Sequence, residues 1–244
     1  MAVQCSVGGT YLSSYPGTNM PNTNSAITLM GWINYSSWTT TNTASMFGVY
    51  NGTATASTAP TTAIQIGART AAGQLYAWTW GGTTLVNTTA GSPTLSNGVW
   101  YHVAYTCTAI IGRTQTHSLY VNGSLAASAT NASQVAATLT QVYINGYPQT
   151  AGGTGESSAV IVDDISFYNR TLTASEIQTA YATRGFRDGN TYGLLGRYLM
   201  QESVSGTVSS CLDYSSQVNK LNTGAGTALT YTQSYSFHNT KQHF

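Results

Sequence analysis

Apolar positions along the chain recur at every second residue, and almost nowhere at the helical period of about 3.6. Ile27, Leu29 and Ile33, then Ile64 and Ile66, Leu119 and Val121, and Val142 and Ile144 all follow this spacing. Successive side chains of a strand point to opposite faces, so each run predicts a strand with one face toward a core. Thr, Ser, Asn and Gly separate the runs. Four Asn-Gly pairs, Asn51-Gly52, Asn97-Gly98, Asn122-Gly123 and Asn145-Gly146, supply the positive φ angles of tight turns. The stretch Leu119-Tyr120-Val121-Asn122-Gly123-Ser124-Leu125 reads as a β-hairpin. One segment departs from this pattern. Thr173 is followed three residues later by Glu176, with Leu172 and Ile177 placed as a hydrophobic staple. This predicts a helix over about 174–183 that packs Ile177, Ala180 and Tyr181 and ends near Gly185. Residues 39–43, 53–62 and 152–155 are small and polar and read as surface loops.

Composition narrows what such a protein does. The 244 residues are 41% hydrophobic but only 6% charged, against about 25% in an average soluble domain. With a net charge of +1 there is no basic field to hold a phosphate backbone, which excludes nucleic-acid binding driven by counterion release. The apolar content is enough to offset the entropy of ordering a core. One all-β domain over 1–244 is expected, since sandwiches reach roughly 200–250 residues as one unit. No apolar run approaches the roughly 18 residues needed to span a bilayer, and Met1 to Cys5 lacks the basic flank and apolar stretch of a signal peptide. Neither membrane insertion nor signal-directed secretion is expected. Cys5, Cys107 and Cys211 show no metal-ligand spacing and read as small buried apolar residues.

Three ordered stretches resemble the laminin-G-like, concanavalin A-like jelly roll. Ile27-Thr28-Leu29-Met30-Gly31-Trp32-Ile33 is similar to that family's early strand, in which a tryptophan closes an alternating apolar run. Trp100-Tyr101-His102-Val103-Ala104, followed by Leu119-Tyr120-Val121-Asn122-Gly123, resembles its W-x-H-V-A and L-Y-V-N-G strand pair. The run Val162-Asp163-Asp164-Ile165-Ser166-Phe167-Tyr168-Asn169-Arg170, continuing to Ile177, resembles its closing strand and helix cap. The resemblance covers residues 24–183 and implies a two-sheet antiparallel sandwich. Within 190–244, Leu195 to Met200 and Asp213 to Ser216 look like the family's opening strand, which normally comes first. A permuted chain is therefore expected, its C-terminal strands completing the sandwich or pairing with a neighbouring copy.

The same sandwich hosts glycoside hydrolases, whose retaining chemistry needs two carboxyl groups about 5–5.5 Å apart. The acids here are Glu156, Glu176, Glu202, Asp163, Asp164, Asp188 and Asp213, and none reproduces that family's alternating acidic strand. Glu176 belongs to the capping box with Thr173. Asp163 and Asp164 are adjacent on a strand, so they point to opposite faces. Asp163 would share its face with Ile161, Ile165 and Phe167 as a buried carboxylate. No enzymatic activity is expected. The resemblance also implies calcium at the sheet rim, for which only Asp163-Asp164 can be matched, and a structural role for that pair is favoured, with no cofactor. His102 alternates with Trp100, Ala104 and Thr106 and reads as a satisfied structural histidine; Trp32 and Trp100 are structural likewise. Tyr76, Trp78 and Trp80 project from one face of one strand. Core filling is their favoured role, and a platform that stacks on sugar rings is the alternative.

With no catalytic apparatus in view, function falls to surface contact. The low charge lets repeated copies pack with little repulsion. This favours a decoration protein on the surface of a virus or phage particle, assembled with capsid or with its own copies. A free-standing lectin-like module, acting at a cell surface or outside the cell, is the alternative.

Overall fold

The computed structural model describes residues 2–4, 12–14, 22, 24–35, 44–50, 63–69, 74–79, 84–88, 94–111, 114–132, 138–144, 160–184, 191–200, 206–208, 210–215, 221–223 and 229–232. In chain order the strands are β1 (Ala2–Gln4), β2 (Leu12–Ser14), β3 (Ile27–Tyr35), β4 (Ala44–Tyr50), β5 (Ala63–Arg69) and β6 (Gln74–Thr79). There follow β7 (Thr84–Asn87), β8 (Trp100–Cys107), β9 (Thr114–Val121), β10 (Ser124–Ala132), β11 (Gln141–Ile144) and β12 (Val160–Tyr168). The helix α1 (Ala174–Ala182) precedes β13 (Leu194–Tyr198), β14 (Gly206–Val208), β15 (Ser210–Cys211), β16 (Leu221–Thr223) and β17 (Leu229–Thr232). One sheet runs β10-β9-β8-β3-β12-β1-β17-β14, with β13 also on β12. The other runs β15-β16-β2-β11-β4-β5-β6-β7.

The period-two pattern becomes a core between these layers. The first sheet contributes Leu29, Ile33, Val103, Tyr105, Leu119 and Val121, and the second Phe47, Val49, Ile64, Ile66, Val142 and Ile144, all buried. Phe47 of β4 meets Phe167 of β12 edge to face across the layers, with ring centroids 6.4 Å apart. The hairpin read from Asn122-Gly123 joins β9 to β10 through two residues of positive φ, 50° and 78°, as a primed turn requires. Gly98 (φ 73°) makes a second predicted turn, while Asn51-Gly52, Asn145-Gly146 and the three expected surface loops lie outside the described residues. Cys107 and Cys211 are both buried, as expected, and Cys5 lies outside the described residues.

The structure corrects the reading of β12. Val160 and Val162 face the core, and so do Ile165 and Phe167, an odd step between the two pairs. The register against β3 shifts between Asp163 and Ser166, and Asp164 takes the left-handed φ of 46°. This bulge inserts one residue and flips the parity. Asp163, opposite Trp32, therefore does not share a face with Ile165 and Phe167. Both aspartates are buried all the same: the Asp163 carboxylate accepts the Asp164 N–H at 3.0 Å, and Asp164 pairs with Arg197 of β13 at 3.0 Å. The bulge explains Gly31 of β3, where a Cβ would lie 2.2 Å from the Cδ1 of Ile165.

At the bulge the free edge of β12 also changes partner. Ile161 and Val162 pair with β1, whereas residues 165–168 pair with β13. The C-terminal strands complete both layers within the one chain: β14 pairs with β17 and β17 with β1, while β15 pairs with β16 and β16 with β2. Asp213 fastens the turn after β15 to β13, accepting the N–H of Arg197 at 2.9 Å and the N–H and hydroxyl of Ser215 at 2.8 and 2.7 Å.

Candidate functional site

The helix lies on the outer face of the first sheet. Thr173 caps it: the Thr173 Oγ1 accepts the Glu176 N–H at 3.2 Å, and the Glu176 carboxylate accepts the Thr173 N–H at 2.7 Å. Leu172 and Ile177 form the staple, and Ile177 and Ala180 bury against Met30, Ala104, Tyr120, Tyr168 and Leu194. The predicted helix is present as 174–182, with Tyr181 only half-buried because it stands where the helix runs off this apolar patch.

Past that point the sheet face turns aromatic. Trp32 of β3 sits in register with His102 of β8, their rings edge to face with centroids 5.3 Å apart. Tyr181 reaches down from the helix to 5.7 Å from the Trp32 ring and 6.2 Å from His102. The hairpin tip closes one side. Asn122 donates its N–H to the carbonyl of His102 at 2.8 Å and accepts the His102 N–H on its Oδ1 at 3.0 Å. This leaves the amide Nδ2 as a donor at the tip. Gly123 is needed there twice over, for its φ of 78° and because a Cβ would lie 3.0 Å from Tyr181. On the other side the chain leaves the helix through Arg184, at φ 52°, whose N–H donates to the carbonyl of Tyr181 at 3.1 Å. Trp32, Trp100, Asn122, Tyr181, Ala182 and Arg184 line a half-open pocket of about 280 Å³.

Its chemistry follows from this lining. The Trp100 indole and the Tyr181 phenol offer ring edges and faces over the buried Trp32, while an amide and a guanidinium bring hydrogen-bond donors, and no carboxylate is among the described lining residues. His102 beneath them is 3% exposed, and burial lowers its pKa to about 4, so it is neutral at ordinary pH. The expectation that His102 is structural agrees with this packing, but the expectation that it is satisfied does not. Its Nδ1 makes no hydrogen bond, because its neighbours are rings.

The aromatic stripe of β6 is elsewhere. Leu75 and Ala77 are the residues of β6 that enter the core, which leaves Tyr76 on the opposite, outer face of the second sheet. The favoured core role therefore does not hold for Tyr76, whose hydroxyl donates to Gln74 at 2.8 Å. Trp78 is in register with Gln65, but its side chain, like the whole of Trp80, lies outside the described residues. Trp32 and Trp100, read as structural, line the pocket together with Tyr181. Asn122, Ala182 and Arg184 were not singled out as site residues, and Tyr181 was read only as a packing residue.

The remaining candidate groups are committed to the fold. Each described carboxylate has a partner: Asp163 the Asp164 N–H, Asp164 the Arg197 guanidinium, Glu176 the Arg170 guanidinium, and Asp213 backbone and Ser215. Inside the sandwich the hydroxyl of Tyr105 lies 2.8 Å from the Nδ1 of His117, and Gln115 donates to the Cys107 sulfur at 3.2 Å. Burial pushes the Cys107 thiol up to about 11 and lowers His117 to about 4, so neither supplies a nucleophile or a cation. Among the described residues no group of three or more His, Cys, Asp or Glu is placed to hold a metal ion.

No curated protein matches the chain. Among solved structures it is similar to a candidate carbohydrate-binding protein from Bacteroides ovatus, with a TM-score of 0.61 and 17% identity over 95% of this chain and 60% of that one. It is also similar to the Trypanosoma rangeli sialidase, with a TM-score of 0.49 and 20% identity over 67% of this chain and only 23% of that one. The family model described as the concanavalin A-like lectin/glucanases superfamily matches residues 7–178. That match agrees with the two antiparallel layers and with the capped helix that follows the last family strand, and the chain belongs to this superfamily.

Proposed function

We propose that this protein is a lectin-like carbohydrate-binding module that works by surface contact without catalysis, and that the pocket beside α1 holds the sugar. The observation that carries this is the lining itself. The half-buried rings of Trp100 and Tyr181, with the buried Trp32 behind Tyr181, suit the C–H face of a pyranose, and Asn122 and Arg184 supply polar contacts at the margin. A volume of about 280 Å³ suits one or two sugar rings rather than a long chain. The described lining residues include no carboxylate pair of the kind that acid–base cleavage of a glycosidic bond needs. The fold shared with the Bacteroides protein agrees with this reading. A place on the surface of a virus or phage particle draws support from the low charge alone, whereas the lectin-like reading also draws on fold and pocket.

The test is a glycan array followed by titration of the best ligand. Trp100 is half-buried, so Trp100→Ala should leave the unfolding midpoint nearly unchanged and weaken binding at least tenfold. Tyr76→Ala, on the other sheet, should leave binding intact. Loss of binding with Tyr76→Ala but not with Trp100→Ala would move the site to the second sheet, and an array with no ligand at all would overturn the function.

A further inference from the structure

His102 supports three of the residues that line the pocket. Its ring packs edge to face on Trp32 and lies 6.2 Å from the ring of Tyr181, and its backbone N–H and carbonyl are both taken by Asn122. The Nδ1 is buried and makes no hydrogen bond. A neutral ring can keep a bare lone pair at that atom, whereas an imidazolium carries an N–H on both nitrogens. In an aromatic niche such an N–H is expensive, because ring faces attract a cation but do not replace its bond to water. Burial accordingly holds the proton off until about pH 4.

The groups that face the ring offer Nδ1 no bond. From β3 comes the indole of Trp32; one strand further, in register with it, Asp163 of β12 already accepts the Asp164 N–H. From β9 come Asn122, whose Oδ1 accepts the His102 backbone N–H, and the phenol of Tyr120, opposite Ala104. From α1 comes the phenol of Tyr181, and after the helix the guanidinium of Arg184 lines the same pocket as a like charge. On β8 itself Trp100 and Ala104 alternate with His102 and do not titrate.

A proton on His102 therefore calls for water at Nδ1, and the surrounding elements differ in what yielding costs. β3 and β8 are inner strands bonded on both sides, and the hairpin tip is pinned by the two bonds of Asn122. α1 is held to the sheet by Ile177 and Ala180, while Tyr181 stands half-buried past them, and the last turn has no basic residue to offset the helix dipole. Opening one such turn costs less than unfolding the sandwich. We propose that acid opens this pocket from the helix side: when His102 takes up a proton, the last turn of α1 unwinds and carries Tyr181, Ala182 and Arg184 off the sheet while both layers stay folded. A sugar held there would then be released in acid. That last consequence rests on the proposed function; the opening does not.

Opening takes up a proton, because His102 titrates at about 4 when covered and near the ordinary 6.5 when wet. The open population should therefore rise about sevenfold from pH 6 to pH 5 and be nearly level above pH 7. Two amides of the last turn report it: the Thr183 N–H, bonded to Thr179, and the Arg184 N–H, bonded to Tyr181. Their exchange protection in the full chain, corrected for the intrinsic rate, should fall by that factor while Val103 and Tyr105 of β8 stay protected. His102→Phe keeps a ring but takes up no proton, and should abolish the pH dependence. Tyr181→Ala, at a half-buried position, lets water reach the ring and should raise the midpoint of the His102 titration, followed by proton NMR, from about 4 toward 6.5. This second variant decides the matter if His102→Phe does not fold. Protection at Thr183 and Arg184 that ignores pH, that falls equally in His102→Phe, or that is lost only in step with Val103 and Tyr105 would overturn the proposal. So would a His102 midpoint that Tyr181→Ala leaves in place.

Discussion

His102 shows what burying one ring in aromatic company costs. Free imidazole takes up a proton below about pH 6.5, yet His102, packed between Trp32 and Tyr181, resists until about pH 4, and His117 behaves alike beside Tyr105. A depressed folded-state pKa gives stability that is present above the unfolded pKa and lost as pH falls toward the folded one. Near the middle of that window the unfolded chain binds up to two more protons than the native one, so these rings should lower stability by at most about 2.7 kcal/mol per pH unit, half from each. His102→Phe keeps a ring in the stack and should halve the slope. Urea unfolding free energies measured in steps from pH 7 to pH 4 read this directly, and an unchanged slope would mean that His102 titrates as if exposed. Strand alternation alone placed His102 as structural. The missing bond at Nδ1 and the second use of Asn122 were not readable, since both depend on a helix and a hairpin tip that meet only in the folded molecule.

At the level of the element, the signals confined to a few neighbouring residues were the legible ones. The capping box spans four residues, Thr173 to Glu176, and predicts its helix almost to the end. Thr173→Ala should therefore cost about 1 kcal/mol in chemical denaturation. Glu176→Gln keeps an acceptor for the Thr173 N–H but gives up the charge paired with Arg170 at 2.7 Å. Because that pair is partly exposed, at 19% and 31%, the loss should stay below about 1 kcal/mol. A Glu176→Gln effect larger than that of Thr173→Ala would place the ion pair, not the cap, in control of the helix. The β12 bulge was misread although its trace is visible: Val160, Val162, Ile165 and Phe167 all turn inward, and the spacing of three in the middle cannot come from a regular strand. Adjacent aspartates suggest simple alternation, but it is the phase of the apolar residues that carries the information. For β6, Leu75 and Ala77 alternate with larger aromatics, and only the facing sheet decides which set goes in.

For the whole molecule, the joint at β12 ties the two ends of the chain together. β1 takes one half of its edge and β13 the other, and Arg197 reaches from β13 to the buried carboxylate of Asp164 between them. The resemblance of the tail to an opening strand was readable in sequence; its division between both sheets was not, because strands of two to five residues carry too few apolar positions to assign a partner. Deleting residues 190–244 would strip β13 from β12, β17 from β1 and β16 from β2, and would leave Asp164 buried without its guanidinium. Removing one partner of a buried pair alone costs about 3–5 kcal/mol, a large share of the roughly 5–15 kcal/mol by which a domain of this kind is stable. The truncated chain should thus lose its cooperative urea transition altogether. Arg197→Met, which keeps every strand, should retain cooperativity but shift the midpoint downward by that single cost. If the truncated chain instead unfolded with the midpoint and slope of the full one, the sandwich would close without its C-terminal strands, and the Asp164–Arg197 joint would be an ornament of the surface.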